Sequence, residues 1–304
     1  MRKIDQVQAD SLDAALMAFH QNEHPLPGVL DPRVRAVLVE QLVDSVRRVR
    51  YTQLIQMRPI CADRADPDTQ YFDPILAAVF YHDRGDIEEA LWLVFLSVHF
   101  GKHSRTGWGL TREVYRGLGG KRWSWSTVCN DLSGFQGWLS GSRQSLAQFS
   151  FGNHRKYESL GPNGTGAVVE SYVAWAGTPP SQVGTYDRYI KEASGDAELA
   201  FALLYRSLSA VHRFGRLAKF DYLAMVGKLG LAPIRPDSLH LNGATGPYAG
   251  ACRLLGLPVS RGSRARHDEL MVKLGRHLGV GPQVMEDALC NWNKSPTTYR
   301  RFRG

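Results

Sequence analysis

The sequence predicts an all-α protein, and three patterns indicate it. Over residues 86–100, apolar side chains recur with a spacing close to 3.6 residues, and Gly101 follows as a helix terminator. Residues 31–32, Asp-Pro, supply a cap and a first-turn proline in front of a second amphipathic run. Over residues 270–278, leucines at every fourth position give a third segment one apolar face.

In the first half of the chain, these patterns place three helices. The first covers roughly Gln8–Phe19, and the second begins at Asp31. The segment Arg58–Pro74 is polar and contains prolines, so we expect a loop there. The helix over residues 86–100 follows it and leads into a glycine-rich region.

In the second half, turn-forming residues separate further helices. The turn Gly177–Pro180 is the expected domain boundary, giving two helical lobes, 1–178 and 179–304, within one compact unit. A helix is predicted from Asp196 to near His212, and another over Lys219–Leu229. The latter leads to the turn Asn242–Pro247, which opens the next helix.

Composition favours a polyanionic partner. The 304 residues carry a formal net charge of +8. The four cysteines are widely separated and form no C-x-x-C pair, so we predict no metal site and no cofactor, and a reducing cytosol as the compartment. We find neither a signal peptide nor an apolar run long enough to cross a bilayer, so no membrane partner is expected.

Two short segments concentrate cationic and hydrogen-bonding side chains. The first lies at the end of the 86–100 helix, and the second lies in the sequence FGNHRKY. Pyrophosphate carries several negative oxygens, and Arg forks, Lys charges and amide donors are the groups that bind it. The alternative is a pair of solubilising loops. The candidate pyrophosphate-binding and donor residues are His99, Lys102, His103, Arg105, Asn153, His154, Arg155, Lys156 and Tyr157.

Tryptophans follow the first basic segment, at positions 108, 123, 125 and 138. Exposed aromatic rings beside cations suit stacking on a base lifted from a duplex. Core packing is the expected role for most of them.

The turn Asn242–Pro247 is a candidate nucleic-acid contact. Its glycines permit close backbone approach, and the N–H groups of the helix that begins at Pro247 can hold a phosphate. The alternative is a plain glycine-rich connection, with Asp268 complementing a helix dipole. The candidate DNA-binding residues here and nearby are Gly243, Thr245, Gly246, Tyr248, Arg264, Arg213 and Arg216.

This region resembles the helix-hairpin-helix DNA glycosylase superfamily, whose hairpin reads L-P-G-V-G-x-x-T-A. Ala244-Thr245-Gly246 stands for G-V-G, and Asp268 matches the catalytic aspartate that opens the following helix. Tyr248 occupies the position of the Schiff-base lysine in bifunctional members, so lyase chemistry is not expected. The resemblance implies a glycosylase-like, two-lobed helical fold.

A second resemblance covers roughly Arg50 to Lys294. The segments FLSVHFGKH, FGNHRKYESL, FGRLAKFDYL and ALCNW resemble the alpha-glutamyl/putrescinyl thymine pyrophosphorylase family of bacteriophage DNA hypermodification. That resemblance implies a transferase. An amine displaces pyrophosphate from pyrophosphorylated 5-hydroxymethyluracil in double-stranded phage DNA. The implied donors are an amino acid (glycine or glutamate) or putrescine, and the implied setting is the bacterial host cytoplasm, with the protein expected to be a monomer.

Under this resemblance, the catalytic residues are expected to be Asp268, His103 and His154. The histidines would act on the departing pyrophosphate, and Asp268 would accept the amine proton or position the base. Two other hypotheses stay open at this point. One is a monofunctional DNA glycosylase acting on a modified or damaged base, and the other is a non-catalytic helical DNA-binding protein.

Overall fold

The structure, a computed structural model, describes residues 3–259 and 264–301, and in these ranges it contains fifteen α-helices and no β-strand. The all-α prediction is therefore confirmed. The helices are α1 (Lys3–Asn22), α2 (Pro32–Ile55), α3 (Pro74–His82), α4 (Ile87–Phe100), α5 (Gly109–Tyr115), α6 (Trp125–Asn130), α7 (Leu132–Gly141), α8 (Arg143–Leu146), α9 (Ala167–Trp175), α10 (Gln182–Glu192), α11 (Ala197–Ser207), α12 (Arg216–Lys228), α13 (Gly246–Leu254), α14 (Arg264–His277) and α15 (Pro282–Lys294).

Helix starts follow the capping signals of the sequence. The Asp31 carboxylate accepts the N–H of Arg33 at 2.8 Å, in front of the first-turn Pro32. The Asp86 carboxylate caps α4 in the same way, and α4 ends where Gly101 adopts a positive φ of 70°. The helix predicted from Asp196 is shorter than expected, because α11 gives way to a 3-10 turn after Ser207.

The described residues form two compact units. Unit 1 combines the chain up to Thr52 with the chain from Pro236 onward, and unit 2 is Gln53–Arg235. This division differs from the boundary expected at residues 178–179, which lies inside unit 2. The physical reason is Glu88 of α4: its carboxylate accepts the hydroxyl of Ser181 at 2.7 Å and the N–H of Gln182 at 2.9 Å, and so ties the start of α10 to α4.

Unit 1 has its own apolar core, in which α13 packs closely against α15. A Cβ at Gly250 would come within 2.4 Å of the Leu289 carbonyl oxygen, so this approach requires glycine. On α14 the buried face carries Met271 and Leu274, as the leucine spacing predicted for this helix. Trp292 of α15 is fully buried in the same core.

Unit 2 is built around α4, which is buried on nearly its whole circumference. The ring of Phe95 stacks on that of Tyr172 with 3.7 Å between centroids. Trp123 and Trp125 are buried here, whereas Trp108 and Trp138 are only partly buried. Core packing is thus the role of the first two.

No helix among the described residues combines the length and the apolarity that crossing a membrane requires.

Candidate functional site: two loops joined at a pair of glycines

The end of α4 and the loop after residue 151 meet at Gly101 and Gly152. The N–H of Gly152 donates to the Phe100 carbonyl oxygen at 2.8 Å. A Cβ at Gly152 would come within 2.8 Å of the Gly101 carbonyl carbon and 2.9 Å of the Lys102 nitrogen, so only glycine allows the contact. The two basic segments found in the sequence, some fifty positions apart, therefore lie against each other.

Arg155 fastens this junction. Its Nε donates to the Val98 carbonyl oxygen in the last turn of α4 at 2.7 Å, and its Nη2 lies 3.5 Å from Asp221 Oδ2 on α12. A cation is favourable at a helix C-terminus, where carbonyl groups lack helical partners. With 11% of its side chain exposed, Arg155 holds the loop to α4 and offers little surface to a ligand.

His99 has a similar supporting position. It is 3% exposed, and its Nε2 lies 2.9 Å from the hydroxyl oxygen of Thr165. That hydroxyl donates its proton to the Ser159 carbonyl oxygen, so the His99 Nε2–H is the donor to Thr165. Burial, followed by the charges of Arg155 and Arg213, lowers the pKa of His99 to about 3. The imidazole is neutral at physiological pH, so the cationic contact expected from the sequence is not available.

The exposed residues of the two loops are the ones a solute can reach. Lys102 and Arg105 on the first loop are exposed, as are His154, Lys156 and Tyr157 on the second. Asn153 begins the 3-10 turn of the second loop, but its side chain lies outside the described part of the structure.

His103 is half-buried and closes a small hairpin in the first loop. Its backbone exchanges two hydrogen bonds with Gly107, each 2.9 Å long. The N–H of Thr106 donates to its Nδ1 at 3.3 Å, so in the neutral ring the proton resides on Nε2. The ring can therefore donate from Nε2 to an anion.

Arg213, an expected DNA contact, holds the second loop. Its Nε donates to Glu158 Oε2 at 2.8 Å and its Nη2 to the Tyr157 carbonyl oxygen at 2.7 Å. Arg216 lies at the start of α12, with its guanidinium carbon 5.1 Å from the centre of the Phe220 ring. Arg213 is exposed, and these contacts fix the shape of the second loop.

A cavity of about 440 Å³ opens next to Lys102. We call it the Trp108 cavity, because the Trp108 side chain forms part of its wall. Lys102 Nζ lies 5.5 Å from the centre of the Trp108 ring. The other residues that line the cavity were not predicted as a site, because no local sequence pattern indicates that they lie together. Asp73, for example, is 35 positions from Trp108 in the sequence, and it accepts a hydrogen bond of 2.9 Å from the Trp108 Nε1–H at its Oδ2. The residues that carry its chemistry are Arg64, Tyr71, Asp73, Lys102, Trp108 and Arg112.

In unit 1, the turn before α13 is only partly open to a nucleic acid. Gly243 and Thr245 are exposed, and Gly243 has a positive φ of 81°. Gly246, in contrast, faces α15, since a Cβ there would come within 2.7 Å of Cys290 Sγ. Packing against α15 is thus one reason for glycine at position 246, and a phosphate contact at its backbone stays a prediction.

Tyr248 and Arg264 form part of the same packing. Tyr248 is fully buried, which removes its side chain from any contact with DNA in this structure. The guanidinium carbon of Arg264 lies 3.9 Å from the centre of the Tyr248 ring. Its Nη1 donates to the carbonyl oxygens of Leu241 at 2.8 Å and Ala244 at 2.7 Å. Arg264 therefore fixes the turn.

Asp268 also fixes this segment. Oδ1 accepts the N–H of Leu239 at 2.9 Å and Oδ2 that of Leu241 at 3.0 Å, while burial raises the pKa of the carboxyl. Because α14 begins at Arg264, Asp268 lies one turn inside the helix and does not open it. Residues 229–245, between α12 and α13, are non-helical, so a short hairpin joining two consecutive helices is not seen here.

Comparison with known proteins gives one family. The family model described as alpha-glutamyl/putrescinyl thymine pyrophosphorylase clade 3 matches residues 33–304. No curated protein and no solved structure matches the chain. The matched range includes both loops of the glycine junction, as well as the Trp108 cavity. The chain belongs to the alpha-glutamyl/putrescinyl thymine pyrophosphorylase family, whose name denotes enzymes of pyrophosphorylase type that act in thymine modification.

Proposed function

We propose that this protein is a transferase that replaces pyrophosphate by an amine on a modified thymine in DNA. The substrate is pyrophosphorylated 5-hydroxymethyluracil, and the donor is an amino acid such as glycine or glutamate, or putrescine. The observation that carries the proposal is the contact of Gly101 with Gly152, which joins two loops rich in anion-binding groups in a member of this family. Phosphate-like anions are held by groups of this kind.

The reaction balances without an oxidant or a cofactor. The lone pair of a neutral amine attacks the exocyclic methylene carbon at C5 of the base, and a C–N bond forms. The bond from that carbon to the pyrophosphate oxygen breaks, and pyrophosphate leaves with the electron pair. The new ammonium then loses a proton to an imidazole or to water.

The exposed residues of the two loops divide the work. Lys102, Arg105 and Lys156 place positive charge where the pyrophosphate oxygens gain negative charge, which lowers the barrier electrostatically. His103 and His154 are the proposed proton-transfer groups. His99 and Arg155 do not contact the substrate in this proposal; their hydrogen bonds fix the loops that carry the other side chains.

We assign Asp268 a positioning role in this proposal. Both of its oxygens accept backbone N–H groups, so the carboxylate is committed to holding Leu239 and Leu241. This commitment also counts against the monofunctional glycosylase, which requires a carboxylate directed at the sugar. The setting we propose is the duplex of a phage genome in the bacterial cytoplasm, bound by a monomer of net charge +8.

Release of pyrophosphate tests the proposal. A duplex containing pyrophosphorylated 5-hydroxymethyluracil is incubated with the protein and, in separate reactions, glycine, glutamate and putrescine. We expect release with at least one amine, and a loss of about 100-fold or more in Lys102→Ala and His154→Ala. Lys121→Ala is the control, since this lysine is paired with Asp131 at 2.7 Å. No release with any amine would contradict the proposal.

A further inference from the structure

The Trp108 cavity combines aromatic walls with cations. Trp108 is partly buried, and Tyr71, which also lines the cavity, is 51% exposed. Arg64 and Lys102 add positive charge, and Arg64 Nη1 donates to the Tyr71 carbonyl oxygen at 3.2 Å. Flat π-faces beside cations are the groups on which proteins stack a nucleobase while holding an attached anion.

The Trp108 ring is held in place before any ligand arrives. Its Nε1–H donates to Asp73 Oδ2 at 2.9 Å, and Asp73 Oδ1 accepts the N–H groups of Ile75 at 3.0 Å and Leu76 at 3.3 Å. One carboxylate therefore caps α3 and orients the indole. A fixed ring loses little freedom on stacking, which favours binding.

The charges of the cavity favour an anionic ligand. Both oxygens of Asp73 are occupied by N–H donors, and Arg112 is paired with Glu113, its Nη2 2.8 Å from Oε1. Arg64 and Lys102 are the remaining charged side chains among the residues that line the cavity. The charges that line the cavity are therefore positive in sum, which favours a phosphate-bearing ligand over a positively charged one.

We propose that the Trp108 cavity is the pocket for a single pyrimidine base, turned out of the duplex and carrying an anionic substituent at C5. The inference rests on the function proposed above and adds where the base is held. A volume of about 440 Å³ suits one small ligand and excludes a base pair within its duplex. Lys102 belongs to both the cavity and the first basic loop, so a base stacked on Trp108 directs its substituent toward that loop.

Photochemical crosslinking tests the pocket without requiring turnover. A duplex with 5-iodouracil opposite a mismatch is irradiated in the presence of the protein, and the crosslinked peptide is identified by mass spectrometry. We expect the crosslink on Trp108 or Tyr71. A crosslink confined to other residues, or none at all, overturns the pocket, and it does so whether or not pyrophosphate is released in the separate assay.

Variants give a second, independent readout. Trp108→Leu and Tyr71→Leu should raise the KM for pyrophosphorylated DNA about tenfold by removing a stacking face. Trp108→Phe keeps a face and should recover most of that loss. Tyr51→Leu is the control, because Tyr51 is 60% exposed and does not line the cavity. Unchanged KM in both leucine variants, with normal pyrophosphate release, contradicts the pocket while leaving the proposed function standing.

Discussion

His99 and Glu89 are two ionisable side chains buried on α4, and burial moves their pKa values in opposite directions. The pKa of His99 falls to about 3, and the pKa of Glu89 rises to about 7. Tyr115 donates its hydroxyl to Glu89 Oε1 at 2.6 Å, and the Trp125 N–H donates to Oε2 at 2.8 Å. Both groups therefore link the stability of unit 2 to pH.

Replacing His99 by glutamine should remove a loss of stability in acid. The folded pKa of His99 lies below its ordinary value of 6.5, so its contribution is complete above pH 6.5 and declines as the pH falls toward 3. Between pH 6.5 and 4.5 the wild type should lose about 2 kcal/mol of unfolding free energy that His99→Gln does not lose. Urea unfolding of both proteins at several pH values measures this, and parallel pH profiles would contradict it.

Replacing Glu89 by glutamine should remove a loss of unfolding free energy that the wild type shows as the pH rises. Because the folded pKa of Glu89 is raised from 4.5 to about 7, its contribution is complete below pH 4.5 and is lost as the pH rises through 7. Glutamine can still donate to Tyr115 and accept from Trp125. From pH 5 to 8, Glu89→Gln should gain about 2–3 kcal/mol relative to the wild type in the same unfolding measurement. If the difference in unfolding free energy between the two proteins is the same at pH 5 and pH 8, burial does not raise the pKa of Glu89, and the prediction is wrong.

The type of each candidate residue could be read from the sequence, but its exposure could not. His99 and Lys102 lie three positions apart in one polar-looking segment, yet one is buried and neutral while the other faces solvent. The difference arises first from the burial of His99 in the folded chain, where Thr165 accepts its hydrogen bond and the charge of Arg155 lies nearby.

Among the elements, the connection between the two loops depends on glycine at position 152. The backbone of Gly101 and Lys102 leaves no room for a methyl group there. The reason is the capping of α4: the carbonyl groups of Val98 and Phe100 in its last turn find their partners, Arg155 Nε and the Gly152 N–H, only if the loop comes this close.

Gly152→Ala should therefore separate the loops. We expect a loss of about 2 kcal/mol in unfolding free energy and at least a tenfold fall in pyrophosphate release, because overpacking against backbone has no inexpensive relaxation. Gly137→Ala is the matched control: Gly137 lies in α7 with nothing within 4 Å of a Cβ, so stability should rise by about 0.5–1 kcal/mol. Wild-type release by Gly152→Ala would contradict this account.

Helix positions were predictable because their signals are local. Asp31, Asp86 and Gly101 mark their helix ends within one turn. The meeting of Gly101 with Gly152, and of Asp73 with Trp108, could not be predicted, because such contacts depend on how distant segments pack in unit 2.

At the scale of the whole molecule, the net charge of +8 should appear in the salt dependence of DNA binding. Arg105 and Lys156 are exposed, and we expect each to neutralise one negative charge of the bound pyrophosphorylated DNA. In the double variant Arg105→Ala, Lys156→Ala, the slope of log K against log salt concentration should fall by about two. Lys121→Ala, whose charge is paired with Asp131, should leave the slope unchanged. If the wild type, the double variant and Lys121→Ala all give the same slope, the DNA does not bind at Arg105 and Lys156, and the prediction is wrong.

The division into units was less accessible to sequence reasoning than the class of fold. Unit 1 is formed from the two ends of the chain, and the turn-rich segment around residue 178 lies within unit 2. A turn signal records a change of chain direction and carries no information about which core its neighbours join. The hydrogen bond from the Gln182 N–H to the Glu88 carboxylate keeps α10 in unit 2, and the two residues are 94 positions apart in the sequence.

The fate of the base decides the central claim most directly. DNA containing pyrophosphorylated 5-hydroxymethyluracil is treated with protein and amine and digested to nucleosides, and their masses are recorded. Displacement of pyrophosphate predicts an intact nucleoside carrying the amine on its C5 methylene. It also predicts that Lys102→Ala forms far less of this nucleoside than Lys121→Ala does. A free base with an abasic site in the DNA, or unaltered substrate with every amine, would contradict the account.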